Sequence, residues 1–381
     1  MKPSTKPVKT LAKERDRGDR VKNGYISPWS RWNSMKANQD VQFGIYLPSC
    51  TRGTSFDLIL RMTKLAEKLG LGYVWICDHL QGLDSVVMES YAETPPVFES
   101  TVTLGALARE TRKVRIGTAV SCIPYRNPAL YAKQIATLDV ISGGRLELGV
   151  GAGWREREFK AFGIPFDPLL VRLEMTREAL IIIKRLFSEK SVTYDGKYYK
   201  VTDCQLNPNT IQRPGPPIWL GATGKKALSA LLPLADGWLP PAVSTDLIRD
   251  RKQMVHEAEQ RRGKKITLGI EFYTAIDKNK ELAIEKSNQS IKEWFGYTIE
   301  EIEGLFSSTK RMGVELKSSP FRTLGRPGLA VGGPDDCIEV VERYIKEGLT
   351  MFALHFMPPE EGYSQLEMYA SKVIPYLRQE V

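Results

Sequence analysis

The sequence LELGVGAGWRE, residues 146–156, joins a hydrophobic segment to a turn that contains three glycines. Leu146, Leu148 and Val150 alternate with other residues, which is typical of a β-strand with one apolar face. Glycines where a strand ends let the backbone approach an anionic or flat ligand closely. The segment therefore predicts a ligand site at the carboxyl end of a strand, and the rest of the chain must decide the fold.

A Rossmann dinucleotide site is the first fold to test. It requires G-x-G-x-x-G at the first strand-to-helix turn and an acidic residue about 20 positions later, where a strand ends. Here the spacing is G-x-G-x-G and follows the fourth predicted strand, and the nearest suitable acid, Asp167, lies in a predicted loop. The pattern therefore argues against a Rossmann fold.

From residue 41 onward, predicted strands alternate with amphipathic helical segments whose apolar residues recur every three or four positions. The predicted strands are residues 41–48, 73–77, 114–120, 145–150, 217–221, 236–240, 267–275 and 351–356. Eight such units predict an α/β protein, a (β/α)8 TIM barrel that occupies residues 41–381.

Two insertions interrupt the barrel pattern, one after strand 4 and one after strand 7. Residues 190–216 predict a β-hairpin that turns at Asp195-Gly196, followed by a proline-rich loop. Residues 296–333 predict a short helix and then a loop rich in serine, glycine and proline. Loops of this length serve as lids, as dimer contacts or as neither.

The N-terminal residues 1–40 carry ten lysines and arginines against four acids, which supplies six of the nine net positive charges. We predict a basic, partly flexible extension. Nucleic-acid binding by this segment is the less favoured hypothesis because no nucleic-acid motif accompanies it. Its aromatic residues Tyr25, Trp29 and Trp32 are expected to pack on the barrel or on a partner subunit.

Composition excludes several other classes. The chain has no run of about 18 apolar residues and no N-terminal apolar signal, so we expect no membrane span and a cytoplasmic location. The five cysteines form no C-x-x-C pair, and there are three histidines. We therefore predict neither a disulfide framework nor a metal site.

Strand parity predicts an ion pair inside the barrel. Glu147 lies on the face of its strand opposite the apolar residues, and Arg115 has the same position in the preceding strand. A charged side chain in a barrel interior requires a partner. We expect Arg115 and Glu147 to meet there in a structural role.

Several strand ends carry candidate ligand-binding groups. Two glycine turns, at Gly151–Gly153 and Gly221–Gly224, predict backbone sites for a phosphate or cofactor tail, and Lys225 and Lys226 add positive charge to the second. Asp78 and His79 follow the second strand, where they suit proton transfer or hydrogen bonding to a polar heterocycle, or serve only as a cap and a packed ring.

The third strand ends in small residues, Ala119, Val120, Ser121 and Cys122, which would let a flat ring lie close to the backbone. A nucleophilic role for Cys122 is disfavoured because no base is defined beside it.

Together these segments resemble the luciferase-like monooxygenase superfamily. The resemblance is strong over residues 41–241 and weaker through residues 331–356. The segments that carry it are FGIYLP (43–48), YVWICDHL (73–80), RIGTAVSCIPYRNP (115–128), GRLELGVGAGWRE (144–156), VTYDGKYY (192–199) and PPIWLGATGKKAL (216–228). The resemblance implies a TIM barrel, usually dimeric, that binds FMN or the deazaflavin coenzyme F-420. The Asp-His pair and the GAGW turn resemble the deazaflavin branch more.

The resemblance also implies roles for individual residues. Asp78 and His79 would lie at the polar edge of the deazaflavin and, with Glu156, are the candidate acid/base groups. A non-proline cis peptide at Ala119–Val120 would press Val120 against the ring. The predicted contacts to the cofactor are completed by Ala119, Cys122, Gly151, Ala152, Gly153, Trp154, Gly221, Ala222, Thr223 and Gly224. Trp154 occupies a position at which deazaflavin-dependent sugar-phosphate dehydrogenases carry a catalytic glutamate, which argues against that activity.

The resulting hypothesis is an F-420-dependent oxidoreductase that transfers a hydride between the cofactor and a small organic substrate, acts as a homodimer and depends on a separate enzyme to reduce F-420. One alternative is an FMN-dependent monooxygenase supplied by a separate reductase. The other is a non-catalytic flavin-binding protein.

Overall fold

The structure is a computed structural model, and it describes residues 41–51, 53–82, 95–295 and 329–378. The predicted basic extension with Tyr25, Trp29 and Trp32, and the predicted helix within the second insertion, lie outside the described residues.

Eleven strands are described. In chain order they are β1 Gln42–Tyr46, β2 Tyr73–Ile76, β3 Arg115–Cys122, β4 Leu146–Gly151, β5 Val192–Asp195, β6 Lys200–Cys204, β7 Ile218–Leu220, β8 Gly237–Trp238, β9 Thr267–Ile276, β10 Leu329–Gly332 and β11 Met351–Phe356. Eight of them pair in parallel in the order β1-β2-β3-β4-β7-β8-β9-β11, and β11 pairs again with β1. This closed parallel barrel confirms the predicted (β/α)8 fold, and its eight strands are the eight predicted ones.

Helices surround the barrel. In chain order they are α1 Phe56–Lys68, α2 Ser100–Glu110, α3 Pro128–Ser142, α4 Glu156–Ala161, α5 Leu169–Ser188, α6 Lys225–Leu231, α7 Thr245–Arg262, α8 Lys280–Phe295, α9 Pro334–Lys346, α10 Gly362–Met368 and α11 Ile374–Leu377. Local sequence sets their ends. For α3, the Asn127 side chain accepts hydrogen bonds from the backbone of Ala129 and Leu130, Pro128 opens the first turn, and Gly143 ends the helix with φ of 71°.

The first insertion contains the predicted hairpin. β5 and β6 pair antiparallel, with Asp195 opposite Lys200, so the chain turns directly after Asp195. The second insertion differs from the expectation. Its last residues form β10, which pairs in parallel with the end of β9. Four residues between glycines and prolines are too few for a periodic signal, which is why β10 was not predicted.

The barrel interior contains the predicted ion pair. The Arg115 guanidinium contacts the Glu147 carboxylate, and Trp219 Nε1 donates a hydrogen bond to the second Glu147 oxygen at 2.6 Å. Both residues lie near the start of their strands, so the pair is at the amino-terminal end of the barrel. The prediction from strand parity is confirmed.

Within the described part of the chain, every helix falls short of the length and apolar character that crossing a bilayer requires. The same residues contain no group of three or more histidine, cysteine, aspartate or glutamate side chains arranged to hold a metal ion.

Candidate active site

The predicted ligand-binding residues lie at one end of the barrel. Residues 78–79 follow β2, residues 119–122 end β3, Gly151 ends β4 with residues 152–154 directly after it, and residues 221–224 follow β7. Because the strands are parallel, their carboxyl ends open on the same face, where TIM barrels place their active sites. The structure therefore brings the four segments to one face.

Asp78 is buried and bound on both oxygens by the protein itself. Both terminal nitrogens of the Arg126 guanidinium donate to it at 2.5 Å, one to each oxygen. Ser100 Oγ donates to Oδ1 at 2.7 Å and the backbone N–H of Cys122 to Oδ2 at 2.9 Å. Asp78 thus ties the end of β2 to the end of β3. Its predicted contact with a cofactor stays a prediction.

His79 has a different environment. Its side chain is 18% exposed, and its Nδ1 donates to Glu158 Oε1 at 2.9 Å. Because the carboxylate accepts at Nδ1, the ring keeps a proton there and is fixed in orientation. Burial acts to lower the pKa of His79, but the hydrogen bond and charge of Glu158 outweigh it, and the pKa is raised above its ordinary value.

Glu158, on the short helix α4, is fully buried and has three partners. In addition to His79, Arg155 Nη1 donates to Oε1 at 2.7 Å and Tyr125 Oη donates to Oε2 at 2.7 Å. Burial acts to raise the pKa of Glu158, but these partners lower it to about 2. Glu158 is therefore a carboxylate at physiological pH and holds the His79 ring in place.

The sequence analysis did not identify Glu158 and named Glu156 instead. Glu156 lies on the exposed side of α4 and pairs with Lys160 at 2.8 Å. Glu158 and the next residue, Phe159, are both fully buried and lie on the inner side of α4, but a helix of six residues is too short for the sequence to show which side faces inward.

The end of β3 contains the predicted non-proline cis peptide, between Ala119 and Val120. Here the pairing of β3 with β4 shifts register, between Thr118 and Ser121. This confirms the bond that the resemblance implied.

Glycines on β4 and after β7 surround the Val120 side chain. A Cβ on Gly221 would lie 2.6 Å from Val120 Cγ1, one on Gly149 2.9 Å from the same atom, and one on Gly151 3.0 Å from Cγ2. Larger residues would displace Val120, so this wall of the barrel mouth is apolar and almost free of side chains. We call these residues, with Ala119, the Val120 wall.

Arginine side chains donate hydrogen bonds to backbone carbonyls in both glycine turns. Arg172 Nε donates to the carbonyl of Ala152 at 3.2 Å, and its Nη2 donates to that of Gly153 at 3.3 Å. Arg251 Nε donates to the carbonyl of Thr223 at 3.0 Å. Both turns are thus fixed by the protein, and their predicted role in binding a phosphate or cofactor tail stays a prediction.

Two further predicted contact residues differ in exposure. Cys122 is buried, and burial together with the charge of Asp78 raises the pKa of its thiol, which disfavours a thiolate nucleophile. Trp154 is 54% exposed, and its indole lies edge-on to the His79 ring with centroids 6.0 Å apart. Trp154 thus provides a large apolar surface beside the imidazole.

The fold and this arrangement define a TIM-barrel protein with an apolar, glycine-lined wall and a carboxylate-held imidazole at the carboxyl ends of its strands. The family model for luciferase-like monooxygenases matches residues 37–351. The chain therefore belongs to the luciferase-like monooxygenase family, and the resemblance drawn from the sequence is confirmed.

Relatives use either of two cofactors. The chain is 26% identical over 368 residues to the 5,10-methylenetetrahydromethanopterin reductase of Methanopyrus kandleri. This alignment covers 89% of this chain and 99% of the relative. It is 28% identical to the F420-dependent glucose-6-phosphate dehydrogenase of Microbacterium testaceum, over 82% of this chain and 91% of the relative. It is 25% identical to the FMNH(2)-dependent dimethylsulfone monooxygenase of Pseudomonas putida, over 64% of this chain and 68% of the relative.

Among solved structures, an F420-dependent secondary alcohol dehydrogenase in complex with an F420-acetone adduct aligns with a TM-score of 0.71 at 21% identity. The alignment covers 89% of this chain and 100% of that one. This likeness supports the fold.

Proposed function

We propose that this protein is an F-420-dependent oxidoreductase that transfers a hydride between the deazaflavin and a small organic substrate. The observation that carries the proposal is the His79–Glu158 pair at the same end of the barrel as the Val120 wall. A flat, largely apolar ring needs a surface without protruding side chains and a polar group at its edge. The Val120 wall and His79 fit those needs, and the F420-dependent dehydrogenase relative supports the choice of F-420.

The bound deazaflavin would donate or accept the hydride, and the chain's own residues would provide position and proton control. The raised pKa of His79 lets its imidazole hold a proton at a higher pH than a free histidine does. Glu158 keeps that ring oriented, and the Asp78–Arg126 pair keeps the ends of β2 and β3 together. Trp154 would exclude water from the edge of the cofactor ring that lies beside His79.

Titration of the purified protein with F-420 and, separately, with FMN tests the proposal. Trp154 is the exposed tryptophan beside His79, whereas Trp75 and Trp238 are buried, so Trp154 should contribute most to quenching on binding. We expect tight binding of F-420, weak binding of FMN, and less quenching in Trp154→Phe. A preference for FMN would overturn the proposal and favour the FMN-dependent monooxygenase hypothesis, and binding of neither would contradict both hypotheses.

A matched pair of variants tests the role of His79. His79→Asn removes the carboxylate-held ring, and we expect F-420 affinity to fall by about tenfold, as loss of a hydrogen bond of about 1.5 kcal/mol would produce. His256→Asn changes an exposed histidine on α7 and should leave affinity unchanged. Equal affinities in the two variants would contradict a role for His79 at the cofactor.

We further propose that the protein is a homodimer. Large apolar side chains are exposed on the adjacent helices α2 and α3, a pattern that favours burial against a second subunit. They are Val102, Leu130, Val140 and Ile141. Light scattering should give twice the chain mass of 42.9 kDa, and a value near the chain mass would contradict a dimer.

A further inference from the structure

The barrel mouth carries a second polar cluster, on β1, β9 and β11, which the proposed cofactor site does not use. Its members are Tyr46, Glu271, Tyr273 and His355, and we call it the β9–β11 cluster. The His355 ring stacks on Tyr46 with centroids 4.7 Å apart and lies 4.9 Å from the ring of Tyr273. His355 Nδ1 is 3.4 Å from Glu271 Oε1. The protein therefore places a second imidazole beside a second carboxyl group.

The cluster faces the barrel interior. In β11, His355 has the same parity as Met351 and Ala353, which pack in the interior core with Tyr46. That core also contains Ala119, and Val120 packs against it. The β9–β11 cluster and the Val120 wall thus border one continuous interior.

The Val120 wall and the β9–β11 cluster lie on different strands around the barrel. The Val120 wall belongs to β3, β4 and the end of β7, whereas the cluster belongs to β9, β11 and β1. A cofactor held on the first arc leaves the second arc for the molecule with which it reacts. Titratable groups on that second arc are therefore candidates for contact with the substrate.

The chemistry of the cluster favours an uncharged oxygen group. Burial, followed by the charges of neighbouring groups that include Glu271, raises the pKa of Tyr46 and that of Tyr273, so both phenols stay protonated and can donate hydrogen bonds. Proteins bind phosphate esters with arginine, lysine or helix N-termini. β1, β9 and β11 contain no lysine or arginine over their lengths, and Glu271 contributes a carboxyl group.

We propose that the β9–β11 cluster is the substrate side of the active site, where it binds the carbonyl or hydroxyl oxygen of an uncharged substrate and not a phosphate ester. This inference rests on the proposed function. His355 contacts the substrate oxygen, and Glu271 is a positioning residue that acts through His355 Nδ1. The side chains of both are mostly buried, at 10% and 15% exposure, so a ligand there would be largely shielded from water.

The three histidines of the chain provide one reporter each, in a protein labelled with ¹³C at the histidine rings. His79 reports on the cofactor side, His355 on the cluster and His256 on the outer surface. We expect F-420 to move the His79 signal. Cyclohexanone or cyclohexanol, added to the F-420 complex, should then move the His355 signal saturably, whereas glucose 6-phosphate should not. His256 should stay unchanged throughout.

The outcomes separate the two proposals. If F-420 leaves His79 unmoved and does not bind, the proposed function fails and this inference fails with it. If F-420 binds and His355 responds to glucose 6-phosphate, or to none of the probes, the inference alone is wrong.

Variants distinguish substrate contact from a purely structural role. Glu271→Gln and His355→Asn should weaken binding of the uncharged probe by up to about tenfold, followed through the absorbance of bound F-420, because a hydrogen bond is worth about 1 kcal/mol. Both should leave F-420 affinity unchanged, and His256→Asn should change neither affinity. A loss of F-420 affinity that equals the loss for the probe would indicate a structural role and overturn the proposal.

Discussion

Two buried glutamates, Glu147 and Glu158, lie at opposite ends of the same barrel. Glu147 meets the Arg115 guanidinium and the indole N–H of Trp219 at the amino-terminal end. Glu158 meets an imidazole, a guanidinium and a phenol at the carboxyl-terminal end. An arginine never releases its proton at physiological pH, whereas a histidine does. The two carboxylates therefore differ in their partners and not in burial itself, and the Glu158 partners include a group that titrates near physiological pH.

The pKa directions of the two carboxyls show how their surroundings differ. Burial raises the pKa of Glu147 and outweighs the charge of Arg115 and its hydrogen bonds. For Glu158, burial acts in the same direction, but His79, Tyr125 and Arg155 lower the pKa to about 2. Three donors converge on Glu158 and fix its ionised form.

The largest expected effect comes from breaking the Asp78–Arg126 pair, which joins the strand ends at the carboxyl-terminal end. Asp78→Asn removes the buried carboxylate that binds both guanidinium nitrogens and leaves Arg126 only the more exposed Glu99 carboxylate at 3.3 Å, so we expect the free energy of unfolding to fall by about 3 kcal/mol. Urea unfolding measures this. Asp57→Asn, which removes the partner of Arg61 in an exposed pair, should cost less than about 1 kcal/mol. Equal losses would show that burial of the pair contributes nothing.

The next effect follows from Glu158→Gln, which removes the charge and keeps the shape. We expect a loss of about 2–3 kcal/mol, because hydrogen bonds to His79 and Arg155 lose their charged acceptor. The pKa of His79 should fall, since burial still acts to lower it and the opposing carboxylate is gone. Nuclear magnetic resonance of the His79 ring measures that pKa directly.

The sign of the pH dependence follows from the raised pKa of His79. A raised pKa contributes stability that is complete below the unfolded value, about 6.5, and is lost as the pH rises through the folded value. The difference in stability between wild type and Glu158→Gln should therefore be largest near about pH 5.5 and shrink at alkaline pH. A constant difference would contradict a charged His79–Glu158 pair.

At the amino-terminal end, Glu147→Gln should have a smaller effect, a loss of about 1–2 kcal/mol. The glutamine still accepts from Trp219 Nε1, and the Arg115 side chain is 30% exposed and retains some hydration. The histidine signals and F-420 binding should not change. A shift of the His79 pKa in this variant would show that the two ends of the barrel are coupled, contrary to the structural role assigned to Glu147.

The same two glutamates show how far the sequence predicts the structure. Strand parity alone placed Glu147 against Arg115, because a period of two fixes which residues face inward. The alternation of strands and helices likewise predicted that His79 and the glycine turns share one face. Glu158 could not be found this way, because α4 has only six residues and its orientation depends on tertiary packing.

The arginines that support the site also could not be identified from local sequence. Arg126 and Arg172 carry no local signal, yet Arg126 binds both oxygens of Asp78 and Arg172 fixes the turn that contains Gly153. A long polar side chain reaches partners far away in sequence, and composition does not reveal which. The resemblance to a family supplied what periodicity could not, the cis bond before Val120.

The smallest effect is expected from Glu156→Gln, and it gives the sharpest comparison because Glu156 lies two residues from Glu158 on the same helix. Glu156 is exposed, and its pair with Lys160 is open to water, so its removal should leave the urea midpoint unchanged. F-420 affinity and the His79 pKa should equal those of the wild type. A fall of the His79 pKa in this variant, as large as that in Glu158→Gln, would mean that the net charge of α4 controls the imidazole. If only Glu158→Gln lowers the His79 pKa, the direct hydrogen bond at Nδ1 determines that pKa, and the inner face of α4 belongs to the active site.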